Sequence, residues 1–275
     1  MAKVSVITGG AGGMGFATAK NTPKEKIIVL ADRDEARLQA CVSELESLGY
    51  TAHYYVYDAT SRESVKQLAE FAGQFGEIKN VINTAGVSPT MANPEAILRI
   101  NALGTVYVNE EFSAVMKSGS VIVDIASNSA YYLPEQAVRE DVYVLADTDP
   151  EGFVGAIVQM TQAVEGDYKK SGMAYSISKN FTRWYAQKCA FEYGSKGIRV
   201  ASLSPGLIAT NMGKAEAGEG SFMLKFTAEE RMGEPSELGF AIAMLADERN
   251  GYLAGVDVLC DGGAFNGQKF KQQGE

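Results

Sequence analysis

Residues 3–8 form a short β-branched apolar run, with Val4, Val6 and Ile7, that leads into five glycines: Gly9, Gly10, Gly12, Gly13 and Gly15. An apolar run of that length predicts a buried strand, and the glycines predict a tight turn opening a helix. That helix must be short, because Pro23 cannot sit in a helix interior and Asn21 and Thr22 are weak formers. The alternation then repeats. A strand is predicted at 27–31 with Asp32 at its end, and Leu38, Cys41, Val42, Leu45 and Leu48 keep helical spacing up to Gly49. A third strand covers 52–57. Thr60 and Glu63 predict a capping box for a helix whose inner face is Val65, Leu68, Ala72 and Phe75. Further strands are predicted at 80–84, 120–125, 198–203 and 256–260, separated by helices at 94–116, 174–193 and 236–246. Seven strands alternating with helices predict an α/β fold, a doubly wound parallel sheet with helices on both faces. Its ligand crevice belongs at the carboxyl ends of the strands.

Two stretches break the rhythm. Residues 128–173 contain Pro134 and an acidic patch of Glu135, Glu140, Asp141, Asp147, Asp149 and Glu151. After Pro150, a helix is predicted with Phe153, Val154, Ile157, Val158, Thr161 and Val164 on one side. Residues 207–232 are rich in Gly and Met, with Phe222, Met223, Leu224 and Phe226 close together. Neither stretch reads as a separate domain, so 1–275 is taken as one unit.

Composition narrows the function. A net charge of -9 argues against a nucleic-acid or anionic-membrane surface. No apolar run approaches a membrane span, and the run after Lys3 is too short for a signal peptide. Cys41, Cys189 and Cys260 are far apart and lack metal-ligand spacing, which predicts a reduced, cytoplasmic protein without a metal. The single histidine, His53, leaves no material for a His-based triad or a multi-histidine metal site.

The glycine cluster can be parsed in three ways as a nucleotide loop. Each rests on the same physics: backbone without side chains lets a pyrophosphate approach amides at a helix N-terminus. Asp32 lies 17 residues after Gly15, suited to accepting from an adenosine 2′-hydroxyl and to repelling a 2′-phosphate. Arg33 beside it is suited to pairing with that phosphate. On balance NAD is favoured over NADP; the alternative is that Asp32 caps the following helix. Tyr175 and Lys179 stand four apart, hence on one face of a helix. An ammonium about 4 Å from a phenol favours phenolate by roughly 4 kcal/mol at an effective dielectric of about 20, enough to bring a tyrosine from about 10 towards 7. Spacing alone leaves surface or packing roles open for the pair.

Taken together, these residues resemble the short-chain dehydrogenases/reductases of the compact, single-domain kind. The resemblance runs through Thr8 to Gly15, Asp58, Asn83-Thr84-Ala85-Gly86, Asn101, Ser127, Tyr175 with Lys179, Pro205-Gly206 with Thr210, and Asp261-Gly262-Gly263. It departs from the family pattern at Thr84, where a second Asn is usual. It implies a Rossmann sheet and an oxidoreductase that interconverts a secondary alcohol and a ketone. It implies Tyr175 as general acid/base, Lys179 on the nicotinamide ribose, Ser127 on the substrate oxygen, and Asn101 holding a water between Lys179 and solvent. Cofactor contacts are implied for Gly9, Gly12, Gly13, Met14, Gly15, Asp32, Arg33, Asp58, Ala59, Asn83, Ala85, Gly86, Tyr175, Lys179, Pro205, Gly206, Ile208 and Thr210.

Ser127 and Tyr175 are 48 positions apart, so about 35 residues are inserted beside the site; a loop this long is usually a lid or an interface. In this the chain is similar to the bacterial hydroxysteroid dehydrogenase/carbonyl reductase subgroup, which implies a small, apolar alcohol or ketone substrate of some bulk. The family also implies a homodimer or homotetramer through the helices after strands four and five, a surface that the insertion is placed to cap. The 207–232 stretch would be a lid, its Met/Phe run touching substrate. His53, Trp184 and Cys189 read as packing. Two other readings stay open: a catalytically silent cofactor-sensing or scaffold protein, and a nucleotide-sugar epimerase or dehydratase, which one parsing of the glycine loop allows.

Overall fold

The computed structural model describes residues 1–271. Strands β1 (Lys3–Thr8), β2 (Lys26–Asp32), β3 (Thr51–Val56), β4 (Glu77–Asn83), β5 (Ser120–Ile125), β6 (Ile198–Pro205) and β7 (Asp257–Cys260) form one sheet. Every pairing in it is parallel, and the order is β3-β2-β1-β4-β5-β6-β7. The order reverses between β1 and β4, and a crevice opens there at the strands' carboxyl ends. The seven strands sit where the apolar runs predicted, with ends moved by up to three residues.

The helices cover two faces. On one lie α1 (Gly13–Asn21) and α2 (Glu35–Ser47), over a core that includes Ile7, Ile28, Leu30, Leu38 and Leu45. On the other, α3 (Arg62–Gly73) packs on Val4, Val6, Val29 and Val81 through Val65, Leu68 and Ala72. The cap of α3 differs from the predicted one. Ser61 is the N-cap and accepts from the Ser64 N–H, whereas the Thr60 hydroxyl donates to Asp58. Asp58 competes for Thr60 from two residues away, so the cap passes to the next hydroxyl.

The long helix predicted at 94–116 is broken in three. It runs as α4 (Pro94–Ile97), a π-helical turn (Leu98–Leu103) and α5 (Gly104–Val115). A π-helical turn shifts the hydrogen-bond ladder by one residue, a feature frequent at functional sites, and Asn101 lies in it.

The insertion has its own short helices, α6 (Glu140–Tyr143), α7 (Leu145–Thr148) and α8 (Pro150–Thr161). The α9 helix (Asp167–Gly194) starts seven residues before its predicted start, where Gly166 with φ +89° breaks the chain direction. On α8, Phe153, Val154, Ile157 and Thr161 are buried, as the spacing predicted; Val158 is only partly so. Phe153 and Tyr143 pack on Phe181 of α9 at 5.0 and 5.4 Å between ring centroids. The acidic patch is largely paired. Glu151 accepts two N–H bonds from Arg99 at 2.8 and 2.7 Å, Asp141 pairs with Arg139, and Asp147 accepts from Tyr185 and pairs with Lys188.

Beyond β6, the 207–232 stretch forms α10 (Asn211–Gly220) and a 3₁₀ turn (Ser221–Phe226). Helix α11 (Pro235–Leu245) begins with a capping box between Glu234 and Glu237, and α12 (Ala264–Lys271) ends the described chain. Gly239 of α11 lies against the Ala17 backbone, where a Cβ would come within 2.5 Å, so α1 and α11 need a glycine at their crossing. Among the described residues, no helix is long and apolar enough to cross a membrane.

Candidate active site

A cavity of about 1150 Å³ opens along the carboxyl ends of β1, β2 and β4. Its floor is the glycine loop. Gly9 has φ +62° and lies against the Ala85 backbone, where a Cβ would approach the Ala85 nitrogen to 2.8 Å. A Cβ on Gly15 would come within 2.4 Å of the Gly9 carbonyl oxygen. Both positions need glycine because the loop folds tightly back on itself and on the end of β4. That shape lets a phosphate approach the amides at the α1 N-terminus.

Of the residues expected to hold a cofactor, Gly9, Gly12, Gly13, Met14, Gly15, Asp32, Arg33, Asp58, Ala59, Ala85, Gly86 and Thr210 all line this cavity. Asp32 is not a helix cap, since Asp34 caps α2. Its carboxylate accepts from the N–H groups of Ala11 at 3.3 Å and Arg33 at 2.8 Å, which holds it on the cavity wall. Arg37, which the sequence reading passed over, also reaches the wall and donates to the Ala11 carbonyl at 2.6 Å. Its signal was available: it stands in the first turn of α2, five residues after Asp32.

Asn83 is placed differently from its neighbours. Its side chain is buried within the sheet, accepting from the Thr8 hydroxyl at 2.8 Å and donating to Asp124 at 3.0 Å and Thr105 at 3.3 Å. It ties β1, β4 and β5 together beneath the cavity and does not line it. Thr84 donates to the Thr8 carbonyl at 2.6 Å, so the Thr at this position still secures the loop. Pro205 ends β6, Ile208 is buried, and Gly206 lies against Asp261, where a Cβ would come within 2.8 Å.

Beside the cavity, α9 brings Tyr175 and Lys179 under the end of β5, where Ser127 stands. The Lys179 ammonium is buried, donates to the Ile125 carbonyl at 2.8 Å and lies 5.8 Å from the centre of the Tyr175 ring. Asn101 binds the Val87 backbone twice, accepting from its N–H at 2.9 Å and donating to its carbonyl at 3.0 Å. That holds Gly86 where an added Cβ would meet both Asn101 Oδ1 at 3.1 Å and Lys179 Nζ at 3.5 Å. Four residues from three distant stretches of the chain thus converge on one corner.

The electrostatics depart from the spacing argument. Burial pushes the Tyr175 phenol above its ordinary value, a hydrogen bond with Ser127 opposes this, and the Glu216 carboxylate adds to it. Lys179 brings no lowering in the chain alone, because its ammonium is turned to Ile125 and is itself desolvated. Burial takes Lys179 down to about 8, against the pull of Asp124. Burial likewise lifts Asp124 to about 6, although Asn109 and Asn83 both donate to it. A lysine with a depressed value binds fewer protons folded than unfolded between about 8 and its ordinary value of 10.5. Stability should therefore rise with pH across that window. Denaturant midpoints from pH 8 to 10 should climb in the wild type relative to Lys179→Met; parallel curves would show that Lys179 is not desolvated.

The expected packing residues stay out of the site. His53 stacks on Phe75 at 4.0 Å, Cys189 is buried in α9, and Trp184 packs beside Tyr143 and Phe181. Cys41 and Cys260 are half-buried free thiols. The Met/Phe run does not line the large cavity: Ser221–Phe226 packs towards α12, with the Gln268 amide on the Met223 sulfur, and Phe222 is mostly exposed. The part of the 207–232 stretch that faces the cavity is Ala209 to Met212 with Ala215.

Two family profiles meet on this architecture. One, short chain dehydrogenase, matches residues 3–138, and the other, enoyl-(acyl carrier protein) reductase, matches 145–264. The chain belongs to the short-chain dehydrogenase/reductase family. A 3beta-hydroxysteroid dehydrogenase of Eggerthella lenta is 28% identical, over 95% of this chain and 94% of its own length. A diacetyl reductase of Staphylococcus epidermidis is 26% identical, over 96% and 98%. A short-chain dehydrogenase of Burkholderia cenocepacia, solved in complex with NADP, shares the fold with a TM-score of 0.76 at 20% identity, covering 96% and 98% of the two chains. As a member of this family, the protein is an oxidoreductase that uses a nicotinamide dinucleotide.

Proposed function

We propose that this short-chain dehydrogenase/reductase interconverts a secondary alcohol and a ketone, with Tyr175 as general acid/base and NAD preferred to NADP. The observation that carries this reading is the convergence of Ser127, Tyr175 and Lys179 at the end of β5, with the Ser127 hydroxyl beside the Tyr175 phenol and Lys179 5.8 Å from its ring centre. A carbonyl oxygen placed between two hydroxyls is positioned and receives a proton from the more acidic one. The nicotinamide supplies or accepts the hydride when bound. Tyr175 gives the proton to the ketone oxygen, or takes it from the alcohol; Ser127 holds that oxygen; Lys179 keeps positive charge beneath the phenol. Asp124 is a buried acid that favours the charged form of Lys179.

The relatives named above act, by their names, on a steroid and on a small diketone, so a neutral ketone or secondary alcohol is the chemistry they share. We take the substrate as apolar. A screen of secondary alcohols with NAD and ketones with NADH, including steroids, read at the nicotinamide absorbance band, tests the reading directly. Absence of turnover across the whole panel, with cofactor bound, would favour a silent binding protein instead. For assembly, a homodimer or homotetramer is proposed, with the insertion covering part of α9.

Asp32 supports NAD because its carboxylate sits on the cavity wall, while Arg33 and Arg37 beside it favour a 2′-phosphate. Removing the carboxylate should tip that balance. Asp32→Ala is expected to raise KM for NAD about tenfold and to improve the relative use of NADP, since one charge-assisted hydrogen bond is lost and a repulsion relieved. An unchanged NAD-to-NADP ratio of kcat/KM would place the ribose elsewhere.

A further inference from the structure

Glu216 on α10 reaches over to Thr90 and Tyr168, which stand together on the far side of the cleft. Its Oε1 accepts from the Thr90 backbone N–H at 3.0 Å and from the Thr90 hydroxyl at 2.6 Å. Its Oε2 accepts from the Tyr168 hydroxyl at 3.0 Å. These partners belong to separate segments. Thr90 lies four residues beyond Gly86 on the strand-to-helix connection after β4. Tyr168 is in the first turn of α9, seven residues before Tyr175 and so on the same helix face.

Near its ends the 207–232 stretch is held by backbone bonds and by the Arg231 pair with Glu237. The Ala209 N–H donates to Gly233 at 2.8 Å, and the Ala228 N–H donates to Gly262 at 2.9 Å. Between those ties, Asn211, Met212 and Ala215 face the cavity, and Glu216 carries the bridge to the other side. The bonds are of the strong, charge-assisted kind. Burial raises the Glu216 carboxyl, but hydrogen bonds from Thr90, Ser88 and Tyr168 outweigh it, so the group is held ionised below its ordinary range.

We propose that Glu216 is the latch that fastens the 207–232 stretch across the cleft, a positioning residue that keeps a roof closed over cofactor and Tyr175. This rests on the reading of the cleft as an oxidoreductase site, but the bridge itself can be tested without turnover. Removing the carboxylate leaves the Thr90 N–H without its acceptor and the roof without its crossing bond.

Amide hydrogen exchange on the full chain decides the point. In Glu216→Ala, exchange at Thr90 and at residues 211–215 should quicken about tenfold or more, the equivalent of losing one hydrogen bond to a charged group. Glu216→Gln and Tyr168→Phe should give smaller changes of the same sign, which keeps the test valid if the alanine variant folds poorly. The denaturant midpoint of the glutamine variant should stay near wild type. NADH release, followed by fluorescence in a stopped-flow chase, should also quicken several-fold. Wild-type exchange at Thr90 in Glu216→Ala would overturn the proposal, and so would faster exchange with unaltered NADH release. A protein that binds no NADH and reduces no ketone fails the functional reading instead, and its Thr90 exchange still reports on the latch.

Discussion

Tyr175→Phe is expected to cut kcat by about 10²-fold or more while leaving cofactor affinity near wild type. The exchange removes one oxygen and keeps the ring, so the packing of α9 beside β5 is retained. What is lost is the hydroxyl beside Ser127 that, in the proposed mechanism, gives or takes the proton. A variant with more than a few per cent of wild-type turnover would assign the acid/base role elsewhere. The electrostatics of the site sharpen this prediction. Burial lifts the phenol above its ordinary value, and Lys179 is turned to the Ile125 carbonyl. The pair by itself does not make a tyrosine that ionises near neutrality, and the positive charge of an oxidised nicotinamide would bring it lower. Tyr175 should therefore titrate at lower pH with NAD present than without it. Difference titration of wild type against Tyr175→Phe, with and without NAD, measures that shift, and identical curves would remove the cofactor from the account.

Phe153→Ala is expected to cost about 3–5 kcal/mol of stability, and to lower Tm by on the order of 10 °C. Phe153 is fully buried although it belongs to the insertion, and its ring packs on Phe181, which stacks on Tyr185 at 5.3 Å. Truncation would open a cavity against α9, the helix that carries Tyr175 and Lys179. A loss of this size would show that the insertion is part of the main core. A change under about 1 kcal/mol would describe a flap resting on a finished domain, the usual cost of a surface substitution being small. Light scattering on the same variant should show no rise, whereas deletion of 135–165 should uncover Phe181 and Tyr185 and promote self-association.

Much of this was legible in the residues. The strands were readable because parallel strands buried on both faces are continuous apolar runs, and Val4, Ile28 and Val123 are fully buried as such runs require. The glycine loop was readable because close backbone approach tolerates no side chain, a demand that appears directly in the sequence. The cap of α3 was misplaced by one residue because Thr60 had a nearer partner in Asp58. The break in the helix at Asn101 was invisible, since a π-helical turn is decided by what the side chain binds on the neighbouring segment, here the Val87 backbone. The place of the Met/Phe run was not legible, because apolar residues carry no address; it packs towards the C-terminal helix and does not line the large cavity.

By itself, then, the sequence determined the strand count, the parallel sheet and the family, because each depends on local residue type and period. The tertiary structure alone decided how the chemistry is set. It turned Lys179 towards Ile125, buried Asp124 beneath it, drew the insertion into the core through Phe153, and carried Glu216 across to Thr90 and Tyr168. Each of these depends on burial and on partners 20 to more than 100 residues away, so no window along the chain contains both halves of the interaction.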